Sequence, residues 1–156
     1  MFNLKGRVVV VSGASSGLGA QMAKGFAAQG ADLVITARRF EKLEVLAEEI
    51  RKMGVQCLPI RCDVTNVESV NNCAKEAVAH FKHIDVLVNC AGAAANNGVL
   101  NMTDSEWQFT IDTDLTSVFY VTRAFANIMK EQKYGRIINI ASMYGLVGNT
   151  AMDTVA

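Results

Sequence analysis

An excess of charge of either sign is missing from this sequence: 15 Lys and Arg face 15 Asp and Glu, a formal net charge of zero. Bulk-charge attraction to nucleic acid or to an anionic membrane is thereby excluded as the basis of function. Proline is nearly absent, with 1 in 156 residues, and 51% of the residues are apolar, which excludes a disordered or linker-like chain. No apolar run reaches the ~18 residues of a membrane span, and the start Met1-Phe2-Asn3-Leu4-Lys5-Gly6 has no signal-peptide pattern. A cytoplasmic protein without a membrane or nucleic-acid partner is expected. The 4 cysteines, Cys57, Cys62, Cys73 and Cys90, form no Cys-x-x-Cys pair and sit in or beside apolar segments, so buried thiols are expected. His80 and His83 lack a third ligand in the sequence around them; they read as solvated histidines near a helix C-terminus, and no metal is expected.

What the chain does have is an apolar strand running into a glycine turn, Val8-Val9-Val10-Val11-Ser12-Gly13-Ala14-Ser15-Ser16-Gly17-Leu18-Gly19. Consecutive β-branched residues suit a strand buried on both faces. Gly13 lets the chain reverse, Gly17 lets bare backbone approach a ligand, and Gly19 lets the next helix pack close. A helix opening near Leu18 aims its unpaired N–H groups and positive dipole end at the space above the turn, which suits a pyrophosphate.

The remaining segments alternate. Leu18, Met22 and Phe26, with Ala23 and Ala27 beside them, predict the first helix, which ends at Gly30. Residues 32–36 read as a second strand, 41–53 as a second helix with Leu43, Leu46, Ala47 and Ile50 on one face, and 55–60 as a third strand. Thr65-x-x-Glu68 has the form of a capping box and predicts a helix burying Val67, Val70, Ala74, Val78 and Phe81. Residues 84–89 give a fourth strand. Thr103-x-x-Glu106 opens the longest helix, with Trp107, Ile111, Leu115, Val118, Thr122, Phe125 and Met129 as its apolar stripe, and 136–141 give a fifth strand. This order predicts an α/β fold, a Rossmann-like doubly wound parallel sheet of five strands forming one domain over residues 1–156.

In such a sheet the ligand lies beyond the carboxyl ends of the strands. The residues there are 13–19, Ala37-Arg38-Arg39, Cys62-Asp63-Val64, Asn89-Cys90-Ala91-Gly92 and Ala141-Ser142. In this order, and over the whole chain, they resemble the short-chain dehydrogenase/reductase family. The most specific parts are Ser12-Gly13-x-x-x-Gly17-x-Gly19, Asn89-x-Ala91-Gly92 and Ile137-x-Asn139-Ile140-Ala141-Ser142. The resemblance implies an oxidoreductase that moves a hydride between a nicotinamide cofactor and the hydroxyl/carbonyl pair of a small molecule. It implies that Gly13, Ser15, Ser16, Gly17, Leu18 and Gly19 hold the pyrophosphate and that Asp63 and Val64 hold the adenine. It further implies that Asn89 braces the central strand, with Ala91 and Gly92 beside the cofactor, and that Ser142 hydrogen-bonds the substrate carbonyl. Family members are usually dimers or tetramers built on the long helix and the helix after it. Singly, Asp63 also reads as a helix cap and Ser142 as a turn serine, and a non-catalytic dinucleotide-binding module is the competing reading of the chain.

Cofactor choice follows from charge. A carboxylate at the end of the second strand would bind the ribose hydroxyls of NAD and repel a 2′-phosphate. Ala37 holds that place, followed by Arg38 and Arg39, and an arginine fork grips phosphate through two charge-assisted hydrogen bonds. NADP(H) is expected, with Arg38 as the contact; if both arginines are merely solvated, NAD competes.

The chain departs from the family twice. Where the family places an Asn in the long helix that helps order a proton-relay water, Asp114 stands here, and an ionised carboxylate cannot donate as an amide does. The family's catalytic Tyr, with a Lys four residues on to lower its pKa, has no counterpart: Tyr120 is followed there by Ala124, Tyr134 by Ile138 and Tyr144 by Gly148. In the family that Tyr falls a dozen or so residues after the Ser, at or just beyond Ala156. The expectation is therefore an N-terminal portion, ending before its catalytic base, inactive by itself and with an apolar edge at the fifth strand. The stretches 111–115 and 142–149 look most like the gluconate 5-dehydrogenases; the 3-oxoacyl-carrier-protein reductases share most of these residues.

Overall fold

Period-two alternation in the first strand decides the layering. In the computed structural model, which describes residues 3–93, 97–98 and 100–147, β1 (Val8–Ser12) sends Val8 and Val10 to one face of a sheet and Val9 and Val11 to the other. All four are fully buried, as a strand covered on both faces requires. β1 pairs in parallel with β2 (Asp32–Ala37) on one side and β4 (Val86–Asn89) on the other. β3 (Cys57–Arg61) and β5 (Arg136–Asn139) complete the order β3-β2-β1-β4-β5. Helices α1 (Gly17–Ala28) and α2 (Phe40–Arg51) cover the Val9/Val11 face. α3 (Val67–Phe81) and α5 (Ser117–Glu131) cover the Val8/Val10 face. This is the doubly wound, Rossmann-like sheet that the alternation of strands and helices predicts.

Three expectations about helices are corrected. On α1 the residues against the sheet are the small ones, Gly19, Ala23 and Ala27, while Leu18 is 68% exposed and Met22 and Phe26 are half-buried. Close helix–strand packing at the glycine turn puts the small residues against the sheet, so Met22 and Phe26 pack at the margin of the core and Leu18 faces out. At α3 the N-cap is Asn66, whose Oδ1 accepts the Ser69 N–H at 2.9 Å; Thr65 instead donates its hydroxyl to Asp63 Oδ1 at 2.8 Å, so the Thr65/Glu68 capping box does not form. The face of α3 against the sheet is Val70, Cys73, Ala74, Ala77 and Phe81, while Val78 is half-buried and Val67, in the first turn, is exposed.

The third correction concerns the long helix. Its capping box at Thr103 and Glu106 is present and opens α4 (Asp104–Ile111), but a π-helical turn, Asp112–Thr116, separates α4 from α5. A π-turn adds a residue to the helical repeat and rotates everything before it. The inward residues become Thr110, Thr113, Ser117, Val121, Phe125 and Met129, while Trp107 and Leu115 from the expected stripe are 45% and 65% exposed.

The amino end of the sheet is tied by one carboxylate. Asp85, just before β4, is buried; it accepts from Arg7 Nη1 at 2.7 Å and from the Val8 N–H at 2.8 Å, with His83 Nε2 3.1 Å away. The Arg7 guanidinium also lies 4.8 Å from the ring centre of Tyr134, and Arg136 lies 5.1 Å from it. On and just after β5, the last strand in the sheet order, Ile137, Ile138 and Ile140 are 40%, 41% and 39% exposed.

Candidate dinucleotide site

The strand order reverses between β1 and β4, and a cleft of about 620 Å³ opens there, beyond the carboxyl ends of the strands. The glycine turn forms its centre. Gly13 has φ +71°, and a Cβ on it would lie 2.7 Å from Ala91 Cα, so the turn needs glycine both for its dihedral and for its contact with the chain leaving β4. A Cβ on Gly19 would lie 2.5 Å from the Gly13 carbonyl oxygen, which is why the helix can start so close under the turn. Ser16, the N-cap of α1, makes no side-chain cap hydrogen bond, so the first-turn amides face the cleft without a side-chain acceptor. The cradle fits an anionic group.

Ser12 was missed as a site residue by sequence reasoning, although it begins the glycine motif. Its hydroxyl accepts the N–H groups of Cys90 at 3.0 Å and Ala91 at 3.2 Å and donates to the Val88 carbonyl, holding the exit of β4 beside the turn. Asn89 works one strand further out. Its amide donates to Thr122 Oγ1 at 2.9 Å and to Asn139 Oδ1 at 2.8 Å, tying β4 to α5 and β5. Thr113, in the π-turn, is among the residues lining the cleft, its hydroxyl buried, and carried no sequence signal, because its inward direction depends on the π-turn itself.

Ser15, Ser16, Leu18, Arg38, Asp63, Val64, Ala91 and Gly92 all line the cleft with Gly13 and Gly19. Gly17, at φ +57°, supplies the left-handed residue that starts α1. Asp63 Oδ1 accepts the N–H and hydroxyl of Thr65, and its own N–H donates to Ser69 Oγ at 3.0 Å, so it fixes the wall by a short turn. The second arginine is better placed than expected: Arg39 Nη2 donates to Ser15 Oγ and Ser16 Oγ, both at 2.9 Å, bridging the end of β2 to the glycine turn. Ser142 is exposed at the start of a 3₁₀ turn, Met143–Gly145, outside the residues that line the cleft. Gly148 and Asn149, in the stretch resembling gluconate dehydrogenases, lie outside the described residues.

Asp114 sits in the π-turn, and its Oδ1 accepts the Ala93 N–H at 2.8 Å. Burial raises its pKa above the ordinary carboxylate value, a shift the Ala93 N–H partly opposes. A raised folded-state pKa means the ionised form costs stability once pH exceeds the unfolded value, and the cost is full above the folded value. Asp114→Asn keeps an oxygen for the Ala93 N–H without a charge. The variant is expected to melt at a higher temperature than the parent at pH 8, and the difference is expected to shrink toward pH 3; thermal melts at the two pH values check this.

A glycine turn and an uncapped helix start at the switch point of a doubly wound sheet define a dinucleotide-binding protein of the Rossmann class. The short chain dehydrogenase family matches residues 7–154, and the chain belongs to that family of nicotinamide-dinucleotide oxidoreductases. Among curated relatives it is 37% identical, over 96% of the chain and 61% of the relative, to the 3-oxoacyl-[acyl-carrier-protein] reductase of Synechocystis. It is 39% identical, over 96% of the chain and 58% of the relative, to the NADP-dependent mannitol dehydrogenase of Hypocrea jecorina. A short-chain type dehydrogenase/reductase from Mycobacterium marinum superposes with a TM-score of 0.95 at 36% identity, covering 98% of this chain and 62% of that one. The chain thus spans about three-fifths of the length of the relatives it matches, 60% and 61% in two curated cases.

Proposed function

We propose that this chain supplies the dinucleotide-binding half of an NADP-dependent oxidoreductase acting on a small-molecule hydroxyl/carbonyl pair. The observation that carries the reading is the end of β2: uncharged Ala37 lines the cleft beside Arg38 and Arg39, with Arg39 on the turn serines. A 2′-phosphate there meets two cations and two hydroxyls and no carboxylate from β2. The NADP-dependent mannitol dehydrogenases among the relatives support it. A xylitol dehydrogenase solved with NAD⁺, 32% identical at a TM-score of 0.92, keeps NAD as the competing cofactor.

When bound, the cofactor supplies the hydride-carrying nicotinamide. The chain's part is to hold the pyrophosphate on the glycine turn and α1, to set the adenine against Asp63 and Val64, and to fix β4 through Ser12 and Asn89. Proton transfer asks for a phenol acidified by a neighbouring lysine, and no tyrosine of this sequence has a lysine four residues on. The 156 residues by themselves are thus read as a binder with little turnover. For the substrate, the stretches 111–115 and 142–149 favour the gluconate/5-ketogluconate pair; the curated 3-oxoacyl-[acyl-carrier-protein] reductases favour a 3-oxoacyl thioester. The exposed Trp107, Phe109, Leu115 and Phe119 along α4, the π-turn and α5 suit a subunit contact in a homodimer or tetramer, and cytoplasmic residence fits the redox demands of free thiols.

Calorimetric titration with NADPH and NADH tests the cofactor reading. NADPH is expected to bind at least about tenfold tighter, and Arg39→Ala to weaken NADPH about tenfold, roughly 1.4 kcal/mol, while leaving NADH nearly unchanged. Equal affinity of the parent for both dinucleotides would overturn it.

A further inference from the structure

The two ends of the cleft differ in charge. At the end formed after β2 and β3 the lining includes Arg38 and Arg39, together with Asp63, whose Oδ1 is taken up by the N–H and hydroxyl of Thr65. At the end formed after β4 and β5 the lining residues are Cys90, Ala91, Gly92, Thr113 and Ile140, none of them Lys, Arg, Asp or Glu. The chain around them is equally bare, since residues 86–103 and 137–152 contain no Lys, Arg, Asp or Glu. One carboxylate stands against this end. Asp114 follows Thr113 in the π-turn; its Oδ1 accepts the Ala93 N–H at 2.8 Å and would lie 3.3 Å from a Cβ built on Gly92, so the side chain is in contact with the cleft wall. No Lys, Arg or His pairs with it among the described residues. Burial raises its pKa, the mark of a charge partly withdrawn from water, and such a charge is less screened than a fully solvated one.

We propose that Asp114 sets the preference of this cleft between the two redox forms of the dinucleotide, favouring the oxidised form with its positively charged ring over the reduced, neutral one. The inference rests on the dinucleotide reading above. With the 2′-phosphate at Arg38 and Arg39 and the pyrophosphate on the glycine turn after β1, the sheet order carries the rest of the ligand toward β4 and β5. The nicotinamide therefore belongs to the end where Asp114 is the charge. A nicotinamide ring is a cation when oxidised and neutral when reduced, so a fixed negative charge at that end attracts one form and is indifferent to the other. The bond to Ala93 is not the source of the preference. An Asn in this place would accept the same N–H through its carbonyl oxygen and bring no charge, so the discrimination comes from the acid itself. Favouring the oxidised form also strengthens hydride donation from the reduced one, the direction that consumes a carbonyl.

Calorimetric titration of the chain with NADP⁺ and with NADPH, in the parent, Asp114→Asn and Asp114→Ala, reads the ratio of the two dissociation constants. Asp114→Asn is expected to move that ratio toward NADPH by about fivefold, the order of effect of one unit charge acting through a partly solvated site. Asp114→Ala is expected to move the ratio by a similar factor and, having lost the acceptor for the Ala93 N–H, to weaken both forms as well. A merely structural role of Asp114 would shift both constants together. A parent-like ratio in Asp114→Asn, or a ratio moved toward NADP⁺, therefore overturns the proposal. Should near-ultraviolet circular dichroism show the alanine variant unfolded, the asparagine variant, which keeps the acceptor, decides alone. If the parent binds NAD⁺ and NADH but neither phosphorylated form, the 2′-phosphate reading falls and the NAD⁺/NADH ratio, which involves the same change of ring charge, decides the role of Asp114 by the same criterion. Binding of no dinucleotide overturns the dinucleotide reading and this inference with it, whereas binding with an unchanged ratio overturns this inference only.

Discussion

Gly13→Ala is expected to abolish measurable dinucleotide binding and to destabilise the fold by about 3 kcal/mol. Two costs add. At φ +71° an L side chain is strained by roughly 1–2 kcal/mol. The new Cβ would also sit 2.7 Å from Ala91 Cα and 2.8 Å from Ala91 N, and because these are backbone atoms held by the Ser12 hydroxyl, they cannot rotate away. Overpacking of this kind costs roughly 1–3 kcal/mol. Relief comes only by parting the turn from the β4 exit, which moves the α1 start off its line to the cleft; a displacement near 1 Å is worth about a hundredfold in a positioned site. Gly25→Ala, inside α1 with nothing within 4 Å of the added carbon, is the control and is expected to gain roughly 0.5–1 kcal/mol. Urea denaturation and NADPH titration measure both variants; parent-like affinity in Gly13→Ala would refute the close-approach argument.

The second large effect is expected at the opposite end of the sheet. Asp85→Ala removes an acceptor from the Val8 N–H, at the start of the central strand, and a charged partner from Arg7. An orphaned buried donor costs roughly 1–3 kcal/mol and a hydrogen bond to a charged group contributes roughly 1.5–3 kcal/mol, so a loss of about 3 kcal/mol is expected. For a chain of this size that lowers the thermal midpoint by roughly 6–12 °C. Asp85→Asn, which retains one oxygen, is expected to lose about half as much. Neither variant reaches the cleft, so NADPH affinity of the folded protein is expected to stay within about twofold of the parent. A midpoint within about 2 °C of the parent for Asp85→Ala would show that Arg7 and water satisfy the strand without it.

What the sequence makes legible is whatever rests on local chemistry. The valine strand, the glycine turn, the Thr103/Glu106 capping box and the alternation of strands and helices each carry their own short-range signal, and each stands where the spacing puts it. The failures come where the outcome depends on something distant in the chain. Leu18, Met22 and Phe26 have helical spacing and the right chemistry for a core, but the nearness of α1 to the turn favours Gly19, Ala23 and Ala27. The stripe through Trp107 and Leu115 assumes one regular helix, and the π-turn at Asp112–Thr116 shifts its phase. At the cleft, the types of residue were readable but not their partners. Arg39 rather than Arg38 meets the turn serines, and Ser12 holds Cys90 and Ala91, because both contacts join segments that only the sheet order brings together.

That sheet order also sets a schedule for the growing chain. β1 is synthesised first yet becomes the middle strand, and its ties to β4 reach across the sequence, as in the Val8–Asp85 bond between residues 77 apart. During synthesis β1, β2 and β3 can associate early, but one flank of the valine strand stays unpaired until β4 emerges from the ribosome. Parallel pairing over such separations is intrinsically slow, because chain entropy is lost before the contact forms. The docking of β4 onto β1 is thus the step expected to limit refolding, which a slow phase in stopped-flow refolding would report. The interval before it is when a chaperone that shields exposed strand edges has most to contribute to the yield of this protein.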